Sequence, residues 1–145
     1  MAKVQNRVYE LTKYNIVIGK EVITAAAVEL RQGDVIFSGA SHGSKPIVAF
    51  NNAIRKATGL DVKLLDWEHI NGLERGARLK LDINGWQFVG YGKGEDYCKA
   101  EVSAYMDALN RSQQRIGSKK IGVDFDGHET LIFFYVPDAK TAKDI

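Results

Sequence analysis

Hydrophobic positions along this chain alternate in short runs, change to three-and-four spacing, and then repeat both habits. Residues 7–18 hold Val8, Tyr9, Tyr14, Ile16, Val17 and Ile18, the β-branched and aromatic content of a strand. After a turn at Gly19-Lys20-Glu21, residues 22–30 form a second strand with Ala25-Ala26-Ala27 at its centre. Arg31-Gln32-Gly33-Asp34 is a hairpin turn, and residues 35–38 are the return strand. Residues 39–44 read as a Gly-containing loop. Pro46 suits a first helical turn, Ser44 suits a cap, and Ile47, Phe50, Ala53, Ile54 and Ala57 then recur at helical spacing until Gly59 stops the run.

The same order follows at once. Residues 62–67 form a strand, 71–76 a loop, and 77–83 an alternating strand, Ala-Arg-Leu-Lys-Leu-Asp-Ile. Asn84-Gly85 is a strong two-residue hairpin signal, and residues 86–89 return. A second Gly-rich loop, Gly90-Tyr91-Gly92-Lys93-Gly94-Glu95-Asp96, opens a helix from Tyr97 to about Arg115, with Gly117 as its stop. These seven identities share one offset, among others: Ala26/Ala77, Phe37/Phe88, Gly39/Gly90, Gly43/Gly94, Ala49/Ala100, Ala53/Ala104 and Ala57/Ala108. A single constant offset is the mark of internal duplication. The expected class is therefore α+β: duplicated βββα units, each a three-stranded antiparallel sheet with a helix over one face. The expected organisation is one domain with repeats at about 7–59 and 61–117. An added hairpin at 118–137 has strands at 121–125 and 131–136, and a polar tail runs over 138–145.

Composition narrows the setting without changing this plan. The chain has 145 residues, 45% hydrophobic and 26% charged, as in an ordinary globular domain. A net charge of +2 gives no field that demands nucleic acid. One cysteine, Cys98, excludes an internal disulfide and a cysteine zinc cage, which fits a reducing compartment. The polar opening residues and the lack of a long apolar run fit neither a secretory signal nor a membrane span, so the cytoplasm is the expected location.

Candidate chemistry is sparse. His42, His69 and His128 are scattered, with no metal-ligand spacing. Cys98 falls in a helical first turn, where thiol pKa values can drop, but it has no histidine or cysteine beside it in sequence and reads as an inert half-buried thiol. Ser41 and Ser44 lack a nucleophile elbow. Glu95-Asp96 at a helix start serves capping and the helix dipole, not acid–base chemistry. No catalytic residue, metal or cofactor is expected, and the chain is read as non-enzymatic.

The motifs of the second copy are Leu64-Leu65-Asp66-Trp67, then Gly90-x-Gly92-x-x-x-Asp96, then Ala100, Ala104-Tyr105 and Ala108-Leu109-Asn110. The first copy carries Gly43-x-x-Pro46-x-x-Ala49, Ala53-Ile54 and Thr58-Gly59-Leu60. In this order they resemble the C-terminal regulatory (dimerisation) domain of 2-isopropylmalate synthase and citramalate synthase, over roughly residues 7–117. The resemblance implies a stand-alone homodimeric or higher homo-oligomeric module without the catalytic barrel. It implies a small-molecule ligand, a branched-chain amino acid, bound near the subunit interface by Gly39, Gly43, Pro46, Gly90, Tyr91, Gly92, Lys93, Asp96 and Tyr97. Glycines admit close backbone approach and helix N-termini favour a carboxylate, which suits that use. The chain departs from the family at Lys93-Gly94-Glu95 and at Ser44-Lys45.

Two other readings keep the binding or assembly role. One is a sponge of viral or prophage type that sequesters a signalling metabolite or nucleotide, with Lys45 and Lys93 on its phosphates. The other is a structural dimerisation module without ligand. Residues 47–110 also follow the element order of a double-stranded-RNA-binding domain. That domain needs lysines where this chain has Glu95 and Asp96, so nucleic acid is not expected as a partner.

Overall fold

The computed structural model describes residues 8–18, 23–72 and 74–113, together with the backbone of 116–123 and 129–135. Two βββα units follow one another: β1 (Glu10–Val17), β2 (Thr24–Gln32), β3 (Val35–Gly43) and α1 (Pro46–Thr58), then β4 (Val62–Ile70), β5 (Arg75–Ile83), β6 (Trp86–Gly94) and α2 (Tyr97–Gln113). Strands β7 (Ile116–Val123) and β8 (Glu129–Tyr135) complete the chain's described elements. All pairings are antiparallel, in a three-stranded sheet ordered β1-β2-β3 and a five-stranded sheet ordered β4-β5-β6-β7-β8. The α+β class and the duplicated units are as the hydrophobic pattern indicates. The C-terminal hairpin adds to the second sheet, meeting β6 at Gln87↔Ser118. Its first strand begins at Ile116, so Gly117 lies in a strand and not at a helix stop, and α2 already ends at Gln113. The turn expected at 19–21 and the tail lie outside the described residues.

The largest correction concerns the two Gly-rich loops. β3 continues to Gly43 and β6 to Gly94, so Gly39, Gly43, Gly90, Gly92 and Gly94 are strand residues. Their role is clearance. A Cβ on Gly90 would lie 2.1 Å from the Ala104 carbonyl oxygen and 2.5 Å from the Ala108 nitrogen; one on Gly39 would lie 2.6 Å from both the Ala53 oxygen and the Ala57 nitrogen. Each helix therefore rests with its alanine stripe directly on a glycine-bearing strand. The repeated glycines and alanines are the two halves of one contact.

Turns and ends follow local chemistry. Asn84 (φ 56°) and Gly85 (φ 86°) both take the left-handed region, the geometry that a two-residue hairpin matched to strand twist requires. Gly59 closes α1 at φ 74°, its N–H bonded to the Arg55 carbonyl. Pro46 occupies the first turn as expected, but the cap residue is Lys45, which makes no side-chain cap bond; Ser44 is not the cap. Asp96 does cap α2, accepting the Lys99 N–H at 2.8 Å.

Alternation in β2 buries Thr24, Ala26, Val28 and Leu30 under α1, and in β5 it buries Ala77, Leu79, Leu81 and Ile83 under α2. The two helices meet through Phe50 and Tyr105, whose rings cross edge-to-face at 5.1 Å. The Tyr105 hydroxyl donates to Asn51 Oδ1 at 2.6 Å, and the Asn51 amide reaches the Val62 carbonyl at 3.4 Å. Asn110 Oδ1 accepts the Tyr9 N–H at 2.8 Å, and its amide donates to the Tyr9 carbonyl at 3.0 Å. So α1 is tied to the second sheet and α2 to the first. The two units share one core.

Candidate functional site

That crosswise arrangement fixes what lies at the start of each helix. Tyr14 and Trp67 hold matching register positions, opposite Val28 in β2 and Leu79 in β5. Trp67 of β4 meets the start of α1, where the Lys45 ammonium stands 5.5 Å from its ring centroid. Tyr14 of β1 meets Phe50 of α1 edge-to-face at 6.2 Å and lies in the field of the α2 start: burial raises its pKa, Cys98 and Asp96 push the same way, and Lys99 opposes them.

The start of α2 gathers more side chains. The Tyr97 ring stacks on His69 at 4.2 Å, its hydroxyl bonds Asn71, and the Arg75 guanidinium lies 5.8 Å from its centroid. One turn on, Glu101 is 9% exposed, and its Oε1 lies 3.4 Å from His69 Nε2. Burial raises the Glu101 pKa above the carboxylate norm; the His69 contact and the Lys45 charge oppose that rise. Arg75 also donates to the Glu95 carbonyl at 2.8 Å, tying the start of β5 to the turn before α2.

The expected site residues separate into three groups. Gly39, Gly43, Gly90 and Gly92 lie beneath the helices, filled against backbone. Pro46, Asp96 and Tyr97 stand at the helix starts described above. Tyr91 and Lys93 belong to the helix-free side of β6: Tyr91 is 56% exposed, and Lys93 lies 3.9 Å from Glu74. An open cleft of about 860 Å³ runs past Ile70, Gly76, Tyr91, Gly92, Lys93 and Ser103. Cys98 is half-buried, and burial together with Asp96 and Glu101 pushes its thiol pKa up, away from reactivity. Among the described residues, no group of His, Cys, Asp and Glu has the makings of a metal site. None of the described helices is long and apolar enough to cross a membrane.

His69, Glu101, Asn71 and Arg75 were not among the expected site residues. The repeat held the signal for one of them. Glu101 occupies the place of Phe50, a carboxylate where the twin has a fully buried ring.

The family model described as the LeuA allosteric (dimerisation) domain matches residues 1–113. The chain belongs to this family. It is a regulatory dimerisation domain. Similar curated proteins are 2-isopropylmalate synthases: that of Ruminiclostridium cellulolyticum is 29% identical over 79% of this chain and 23% of its own length. That of Syntrophus aciditrophicus is 33% identical over 71% and 21%, and that of Aquifex aeolicus 34% identical over 68% and 20%. The chain spans about a fifth of the length of these relatives. The match ends where β7 begins, so the C-terminal hairpin lies beyond the family's stretch.

Proposed function

We propose that this domain self-associates in the cytoplasm and binds a small amphiphilic effector, a branched-chain amino acid, at the helix starts. Without catalysis of its own, it passes the binding event to a synthase-type partner. The observation that carries this is the Trp67 ring against the start of α1, with Tyr14 in the field of the start of α2. An aromatic wall beside a helix N-terminus offers an apolar surface for a branched side chain and a favourable field for a carboxylate. The proposed contacts are Pro46, Asp96 and Tyr97 at the helix starts, with the strand ends at Gly43 and Gly92 and the residues Gly39, Gly90, Tyr91 and Lys93 framing them. Family membership supports a regulatory role. Similarity to 2-isopropylmalate synthases supports a synthase-type partner.

The sponge reading gains little from the side chains. Lys45 is engaged by Trp67 and Lys93 sits by Glu74, so each lysine already has a partner. Titration calorimetry with leucine, isoleucine, and cyclic and ADP-ribose nucleotides tests the proposal. Heat with an amino acid, abolished in Tyr97→Ala, is expected. Heat with nucleotides alone overturns the amino-acid assignment, and no heat with any of them leaves only the assembly role.

A further inference from the structure

The internal repeat compares the two sheet edges directly. β6 and its twin β3 are each the third strand of a unit. In both hairpins the two-residue turn makes the flanking pair hydrogen-bonded, Gln32↔Val35 and Ile83↔Trp86. Alternation then aims the main-chain groups of Ile36, Ser38, Ala40 and His42 away from β2, and those of Gln87, Val89, Tyr91 and Lys93 away from β5. On β6 that outer edge is occupied. Gln87 pairs with Ser118 of β7, and the Tyr91 N–H donates to Asp107 Oδ2 at 2.9 Å.

On β3 no described strand covers the matching edge. It is the end of its sheet. The twin of Gln87 is Ile36, 63% exposed beside Val35 at 54%. The twin of Asp107 is Lys56, which has no acceptor to offer the Ala40 N–H. Among the described residues, the His42 carbonyl is covered, by the Asn52 amide at 2.9 Å. An uncovered edge with exposed aliphatic side chains is a template for another strand.

We propose that β3 joins β3 of a second copy, antiparallel and centred on Ser38. Ile36 then faces Ala40 of the second copy, and the twofold repeats that pair. Three outward residues from each strand give about six inter-chain hydrogen bonds. The capped His42 carbonyl ends the ladder, and two three-stranded sheets become one of six. A second copy is the chosen occupant for two reasons. The chain belongs to a dimerisation family. The repeat's own β6 shows that this edge of the unit accepts an antiparallel strand. The location rests on the self-association stated above and goes beyond it.

Two variants test the location, each checked for folding by circular dichroism. Ile36→Lys places a charge on the seam. Ser38→Pro removes an outward N–H while sparing the ladder to β2. Sedimentation over a dilution series is expected to show a wild-type dimer whose dissociation constant rises at least about tenfold in each variant, while Leu65→Lys, at an exposed site on β4, leaves it unchanged. Amide exchange in the wild type is expected to show Ile36, Ser38 and Ala40 protected in the dimer and exposed on dilution. Unchanged dimerisation in both variants overturns the β3 seam and leaves self-association standing. A wild type that is monomeric throughout overturns both. Protection of those amides in a monomer assigns the edge to a segment of the same chain and also overturns the seam.

Discussion

In the first unit, one register position of the first strand and one position of the early helix carry apolar Ile16 and Phe50; in the second unit, His69 and Glu101 hold those same places. The equivalence is set by register, since Ile16 lies opposite Ala26 and His69 opposite Ala77, a repeat pair. Phe50 is fully buried between Tyr14 and Tyr105. Glu101 is almost as buried but keeps the His69 imidazole as a partner at the rim. The backbone plan is thus shared in register and helix position, while the chemistry at the helix mouth has diverged. A duplicated fold keeps its clearances and lets its rims differ.

The clearances are the strictest part of the comparison, and breaking them should have the largest effect. Gly90→Ala forces a methyl to 2.1 Å from a backbone oxygen of α2, and neither neighbour is the flexible end of a side chain. We expect a loss of more than about 3 kcal/mol in urea unfolding, at or beyond the usual range for overpacking. Gly39→Ala meets α1 at 2.6 Å and should cost less, about 1–3 kcal/mol. Equal costs would show that the two helices sit at the same height.

These clearances also mark what the chain revealed before folding. The repeated Gly39/Gly90 and Ala53/Ala104 spacings signalled duplication, and the period of two in β5 signalled a strand buried on one face. Those cues are local or periodic, so they survive without tertiary information. The same glycines were misplaced in loops because a glycine in a strand and one in a turn look alike until a helix is laid across it. Asn84-Gly85 and Asp96 are dictated by neighbours and were read directly. His69 with Glu101, and Asn110 on Tyr9, join residues far apart in sequence, with no periodic cue between them. Four of the side chains gathered around Tyr97 therefore have no cue in the local sequence that joins them.

The contact between the units can be sharpened next. Tyr105 takes the place that Ile54 holds in the first unit, so the hydroxyl is an addition particular to α2. Burial drives its pKa strongly upward, keeping it a neutral donor to Asn51. Tyr105→Phe keeps the ring and leaves a buried amide oxygen without its donor. A loss of about 1–3 kcal/mol in thermal or urea unfolding is expected, the usual penalty for an orphaned polar atom.

The rim difference gives a pH signature. Glu101 has a folded-state pKa above its unfolded one, so ionisation is harder in the native protein. The stability this group contributes is complete below the unfolded value near 4.5 and declines as pH rises through the raised folded value. Glu101→Gln removes that titration. Relative to wild type, the variant should gain stability steadily from acid toward neutral pH, whereas Phe50→Leu in the first unit should shift stability by an amount independent of pH. A flat difference for Glu101→Gln would mean that His69 and Lys45 fully offset burial.

The smallest effect is expected on the outer faces, where the sheets again differ. The second sheet has Arg78 bracketed by Glu68 at 2.7 Å and Asp66 at 3.0 Å; on the first, Arg31 pairs with Glu10 at 2.6 Å. Arg78 is the less exposed of the two arginines, and both its partners favour its charged form. Two carboxylates on one guanidinium form a small network, in which the side-chain ordering is shared over two contacts. Arg78→Ala should therefore cost up to about 1 kcal/mol, and Arg31→Ala about half that or less. Both differences should shrink toward zero near 1 M salt, where screening acts over about 3 Å. If the Arg78 difference persists in salt, its weight lies in the packing of the arginine stem across β4 and not in charge.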